Sequence, residues 1–177
     1  MAAATQPVPA LLSLEEYLHT TYRPDCDFVD DHIEERNLGE LQHSLLQSEL
    51  SYWFRLHRTE WNIRVMSELR TLVTASRVRI PDVMVALNDA AMKDKIRLQP
   101  PLIAIEIISP EDRLSRVLPR LEDFRLMGVP NIWLLDPDER VGYTYSEGGL
   151  RLIDRTRIEV PDSPIYLDLP ELFAALD

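Results

Sequence analysis

Two acidic residues stand where acids are costly. Glu106 interrupts the aliphatic run Leu102-Ile103-Ala104-Ile105-Glu106-Ile107-Ile108, and Asp82 follows Pro81 in Arg79-Ile80-Pro81-Asp82-Val83-Met84-Val85. An ionised carboxylate buried in such a segment costs several kcal/mol unless something compensates it. On a strand, side chains alternate between faces, so Ala104, Glu106 and Ile108 share one face, and Asp82, Met84 and Ala86 share another. The small Ala104 leaves room for a cation beside Glu106. If the two strands are neighbours, the carboxylates converge on one magnesium ion, which prefers hard oxygen ligands and keeps several waters. Such an ion activates an attacking water and stabilises charge on a scissile phosphate, so phosphodiester hydrolysis is the matching reaction. Blander roles stay open for the same pair: Asp82 capping a turn after Pro81, and Glu106 in a buried ion pair with an arginine.

Other polar residues join the candidate set by position. His43 and Gln47 are four residues apart, so one helix face presents both, and His43 is taken as a site residue. Glu49 on the same helix and Glu68 before a strand are further acids, each with a surface role as its simpler explanation. Lys93 and Lys95 lie between the two acidic strands.

These residues need a scaffold. Ser13-Leu14-Glu15-Glu16 reads as a capping box opening a short helix towards His19, followed by a hairpin around Phe28 to Arg36. Leu45, Leu46, Leu50, Trp53, Phe54 and Leu56 recur at helical intervals, which predicts a long amphipathic helix over 39–57. Strands are expected over 62–66, 69–74, 81–87 and 102–109. A second helix runs from Leu114 to Met127, with Leu114, Val117, Leu121, Phe124 and Met127 on its apolar side and Arg116, Arg120, Glu122, Asp123 and Arg125 largely on the other. Gly128 closes it. Strands over 131–135, 141–146 and 150–154 follow, then a last helical turn near 171–176. This order predicts an α/β fold, a mixed β-sheet flanked by helices. The three tryptophans are expected in the core.

Composition narrows the class. The 177 residues suffice for one sizeable core, so 1–12 is expected as a loose tail and 13–177 as a single domain. One cysteine, no signal-like start and no long apolar run point to a cytoplasmic protein that does not enter the membrane. A net charge of -11 argues against a protein that coats nucleic acid, yet a magnesium site itself concentrates carboxylates. With five glycines there is no phosphate-cradling loop, and neither a zinc cluster nor a Ser/His/Asp motif appears, which sets aside kinases, metalloproteases and esterases.

As an ordered set, several segments resemble the Uma-type restriction endonuclease family of the PD-(D/E)XK nuclease superfamily. They are Phe28-Val29-Asp30 with Glu34-Glu35-Arg36-Asn37-Leu38-Gly39-Glu40, His43-Ser44, Arg79-Ile80-Pro81-Asp82-Val83, Ile105-Glu106-Ile107-Ile108-Ser109-Pro110, and Gly128-Val129-Pro130-Asn131-Ile132-Trp133-Leu134-Leu135-Asp136-Pro137. The resemblance implies a restriction-endonuclease-like core, magnesium dependence with Mn2+ as a substitute, DNA as substrate, and Asp82 and Glu106 as the metal-binding acidic pair. A homodimer suits the two strands of a duplex. One departure bears on activity. The superfamily's usual Lys, two residues after the Glu, falls on Ile108. In the family resembled, a Lys commonly stands on the following helix, and the matching position is Arg120. Arginine keeps the charge but is a poor general base, and Pro119 is expected to kink the helix beside it. The expectation is therefore a metal-dependent DNA endonuclease, with a catalytically degenerate binding or assembly module as the alternative.

Overall fold

A computed structural model describes residues 12–36, 40–88, 96–109, 114–153 and 156–177. The tail expected over 1–12, except Leu12, lies outside them, as do Asn37 to Gly39, Lys93 and Lys95, Pro110 and Asp154.

The N-terminal capping box forms as its spacing dictates. Helix α1 (Leu14–His19) begins where Ser13 Oγ accepts from the Glu16 amide and Glu16 accepts from the Ser13 amide. Strands β1 (Asp27–Val29) and β2 (His32–Glu34) make the expected hairpin. Its two turn residues, Asp30 and Asp31, have φ of 48° and 67°, the left-handed conformation that a two-residue turn needs to match strand twist.

Helix α2 (Leu41–Leu56) leads into β3 (Ile63–Ser67), β4 (Thr71–Thr74), β5 (Arg77–Arg79), β6 (Val83–Leu87) and β7 (Ile103–Ile107). Helix α3 (Leu114–Met127) then crosses to β8 (Asn131–Asp136), which lies parallel to β7. The chain finishes with β9 (Val141–Ser146), β10 (Gly149–Leu152), β11 (Arg157–Glu159), β12 (Tyr166–Asp168), α4 (Leu169–Phe173) and a 3-10 turn, Ala174–Leu176. Six strands form the main sheet in the order β10-β9-β8-β7-β6-β3, mixed in direction.

Alternation along the central strands separates two cores. Val83, Val85, Ile103, Ile105 and Ile107 face α2, packing on Leu46, Leu50, Trp53 and Phe54, and the β11–β12 hairpin and α4 extend that layer. Ala104, Ile132 and Leu134 face the other way, towards Val117, Leu121 and Phe124 of α3. Trp53, Trp61 and Trp133 are all buried, as expected.

Three expectations need correction. The segment at 69–74 does not continue the main sheet: β4 pairs with β5, a strand the sequence pattern did not suggest, in a second sheet ordered β2-β1-β5-β4. Leu114 is 54% exposed, and Asp123 is buried. Helix α3 continues through Pro119, which stands in its interior.

The second sheet carries a buried, fully paired charge. Arg79, 2% exposed, donates from Nη1 to Asp27 at 3.0 Å and to Glu34 at 2.7 Å, and from Nε to Asp123 at 2.7 Å. Arg77 reaches the other oxygen of Asp123 at 2.9 Å. One guanidinium thus ties β1, β2 and α3 to β5. Truncating one partner of a buried pair leaves the other uncompensated, so Asp123→Ala is expected to cost about 3 kcal/mol of unfolding free energy, measured by urea denaturation. An unchanged midpoint would show that Asp27 and Glu34 alone satisfy Arg79.

Candidate functional site

Antiparallel register decides where the two acids meet. Val83 pairs with Ile105 and Met84 with Ala104, so Asp82, one residue before β6, stands directly opposite Glu106. Residues so placed share a face, with Cβ atoms about 5 Å apart. Both are buried, at 3% and 2% exposure.

Their surroundings differ, and that difference sets their charge. Asp82 Oδ1 accepts from Arg36 Nη2 at 2.7 Å, and Oδ2 accepts from the Ile107 amide at 2.8 Å and lies 3.1 Å from His43 Nε2. Gln47 Nε2 donates to the Asp82 carbonyl at 3.0 Å. Burial pushes the Asp82 carboxyl up, but the His43 hydrogen bond and charge, Arg36 and the Ile107 amide outweigh it and hold the group below its ordinary value. The reciprocal effect reaches His43: burial favours its neutral form, yet Asp82 draws its pKa above the usual 6.5.

Glu106 is less well served. Arg120 Nη1 donates to Oε2 at 3.0 Å, while Oε1 is buried with no hydrogen-bond partner among the described residues. Burial is the largest influence and raises the carboxyl; Arg120 opposes it, and the nearby Asp82 charge reinforces it.

The structure therefore brings together Asp82, Glu106, His43, Gln47 and Arg120. Arg120 faces Glu106; Glu122 is held instead by Arg125 and Asp123 by Arg77 and Arg79. The buried ion pair foreseen as the blander role of Glu106 is also present. Glu68 stays at the rim, 56% exposed, contacting Arg36 at 3.4 Å. Glu49 is half-buried on α2 and takes no part in these hydrogen bonds. The residue missed was Arg36. It sits within the quoted motif, but nothing local signals a contact with a side chain 46 positions along the chain.

The orphaned oxygen of Glu106 tests whether a cation fits. A buried acceptor lacking a donor, set opposite a second carboxylate, is the donor arrangement a hard ion completes. No group of three or more His, Cys, Asp or Glu side chains is arranged for a metal among the described residues. Two carboxylates supplemented by water suit magnesium better than an ion needing a full protein cage. Beside the pair opens a cleft of about 540 Å³ lined by Asp27, Glu34, Glu35, Arg36, Arg116 and Arg120, among others.

The family model Uma2, described as putative restriction endonuclease, matches residues 14–175. No curated protein matches the chain. A solved structure described as a putative nuclease belonging to DUF820 from Anabaena variabilis is similar at a TM-score of 0.82 and 23% identity, over 94% of this chain and 99% of that one. A second likeness, to a chain in a DrdV–DNA complex, has a TM-score of 0.40 and 15% identity, over 73% of this chain and 10% of that one.

The raised Glu106 carboxyl has a consequence for stability. A group whose folded value, about 8, lies above its ordinary 4.5 stabilises the fold below 4.5 and loses that contribution as pH rises through about 8. His43 acts in the same sense, because its value is also raised. Thermal melts of metal-free protein should show Glu106→Gln gaining on wild type as pH climbs through this window. A pH-independent difference would mean that Glu106 is already ionised throughout.

Proposed function

The chain belongs to the Uma2 family of putative restriction endonucleases, and on that premise we propose that it is a magnesium-dependent endonuclease hydrolysing phosphodiester bonds in DNA. The observation that carries the reading is the cross-strand pair of buried carboxylates, one with an oxygen that has no donor among the described residues.

In this reading Asp82 and Glu106 hold Mg2+, or Mn2+ in its place. Bound there, the ion supplies an activated water and neutralises charge developing on the phosphate. The protein's own residues arrange the rest. Arg36, the Ile107 amide and His43 fix the Asp82 carboxylate in one orientation. His43 acts through Asp82 and is a positioning residue. Arg120 holds Glu106 and presents a permanent positive charge to the cleft. Guanidinium does not give up its proton, so Arg120 assists at phosphate and takes no proton from water. Burial on both sides of the sheet excludes bulk water and strengthens each of these interactions.

One observation favours the second reading, a non-catalytic binding or assembly module. Each acid already has an arginine at ion-pair distance, so both have partners without a cation. Plasmid nicking and linearisation in Mg2+ or Mn2+ separates the two. Wild type should cut, and Asp82→Ala and Glu106→Ala, purified identically, should each lose at least about 100-fold in rate, the scale of one lost electrostatic stabiliser. Equal activity in all three would expose a contaminant, and no cleavage by folded wild type would favour the module.

A further inference from the structure

A second groove leaves the site along α2. It has a volume of about 720 Å³ and is lined by Gln47, Ser51, Tyr52, Arg55, Arg58 and Glu68 together with three neighbours, among them Ser48. Two contacts join it to Asp82: Gln47 donates to the Asp82 main-chain carbonyl, and Glu68 contacts Arg36, which itself holds the Asp82 carboxylate. Ser48, Tyr52 and Arg55 recur at i, i+4 and i+7, so they form one stripe on the exposed side of the helix. From Ser48 to Arg55 this stripe runs about 10 Å.

The groups in the stripe are uncommitted. Tyr52 is 61% exposed. Arg55 and Arg58 are exposed, and neither guanidinium makes an ion pair or side-chain hydrogen bond among the described residues. That contrasts with Arg36, Arg70, Arg77 and Arg79, all held by carboxylates. In a chain of net charge -11, two free cations and a free aromatic ring beside buried acids are a local inversion of the surface. Glu68 is the one carboxylate among the lining residues, and Arg36 offsets it.

We propose that this groove holds an unpaired stretch of the DNA strand flanking the cut, with Tyr52 stacking on a base and Arg55 and Arg58 contacting phosphates. The proposal rests on the nuclease reading above and adds a substrate class, DNA carrying a single-stranded segment beside the duplex. An aromatic face flanked by cations is the usual platform for unpaired strands, since every base offers a π-face. The hydroxyls of Ser48 and Ser51 add hydrogen-bonding groups, although Ser51 already shares a bond with Ser67 at 2.9 Å.

The test is fluorescence anisotropy in EDTA, comparing a blunt duplex with the same duplex carrying a single-stranded overhang. Wild type should prefer the overhang. Tyr52→Ala should erase that preference, weakening overhang binding roughly fivefold or more, while Tyr52→Phe keeps it. The double variant Arg55→Ala/Arg58→Ala should reduce the slope of log affinity against log salt by about 1.4, or 0.7 per phosphate contact on a single strand, and lysine at both positions should restore it. If wild type binds and cuts DNA while every variant matches it in preference and slope, the groove assignment falls and the nuclease reading stands. Absence of any DNA binding by wild type overturns both.

Discussion

Two carboxylates buried opposite one another on adjacent strands are the constraint around which this protein is organised. Neither Asp82 nor Glu106 could be ionised in an apolar sheet without compensation, and the fold supplies it from three directions. Arg36 arrives from the segment after the N-terminal hairpin, His43 and Gln47 from α2, and Arg120 from α3. The main sheet sets the pair's separation, and the helices on its two faces set its charge.

The second sheet and the Arg79 network follow from that requirement. Arg120 is useful only if α3 is held against the sheet, and Asp123, three residues further along the same helix, is clamped by Arg79 and Arg77. Arg36 is useful only if its segment is anchored, and Glu34 is held by the same Arg79. One buried guanidinium thus braces the supports of both acids. The compensation is uneven, because Asp82 receives three donors while Glu106 keeps an oxygen with none among the described residues. That imbalance is the feature a bound cation would remove.

Much of the scaffold was legible because local patterns were unambiguous. The Ser13 box, the apolar spacing of α2, the alternation in β6 and β7, and Gly128 at φ 93° after α3 each specify an element by short-range physics. Alternation also assigned the faces of Asp82 and Glu106. It could not say which strands pair, so the division into two sheets was hidden. Strand β5 was hidden because Arg77-Val78-Arg79 has two charges in three residues and becomes a strand only through partners supplied by β1, β2 and α3. Without β5, Asp123 reads as a solvent-facing helix residue. Arg36 and its contact with Asp82 were hidden for the same reason: the partner lies far along the chain and no periodicity marks it. The site acids were readable from their local cost, whereas their supporting cations were readable only from tertiary structure.

We propose that Asp82 and Glu106 together take one divalent cation, and that the Glu106 oxygen left without a donor among the described residues is the reason. Titration calorimetry with Mn2+ near neutral pH, repeated in two buffers of different ionisation enthalpy, tests it directly. Burial raises the Glu106 carboxyl above its ordinary range, so cation binding is expected to release a proton. One ion bound per chain with proton release, both lost in Glu106→Gln, is the predicted result. Binding that persists unchanged in Glu106→Gln, or no binding by wild type, would contradict it.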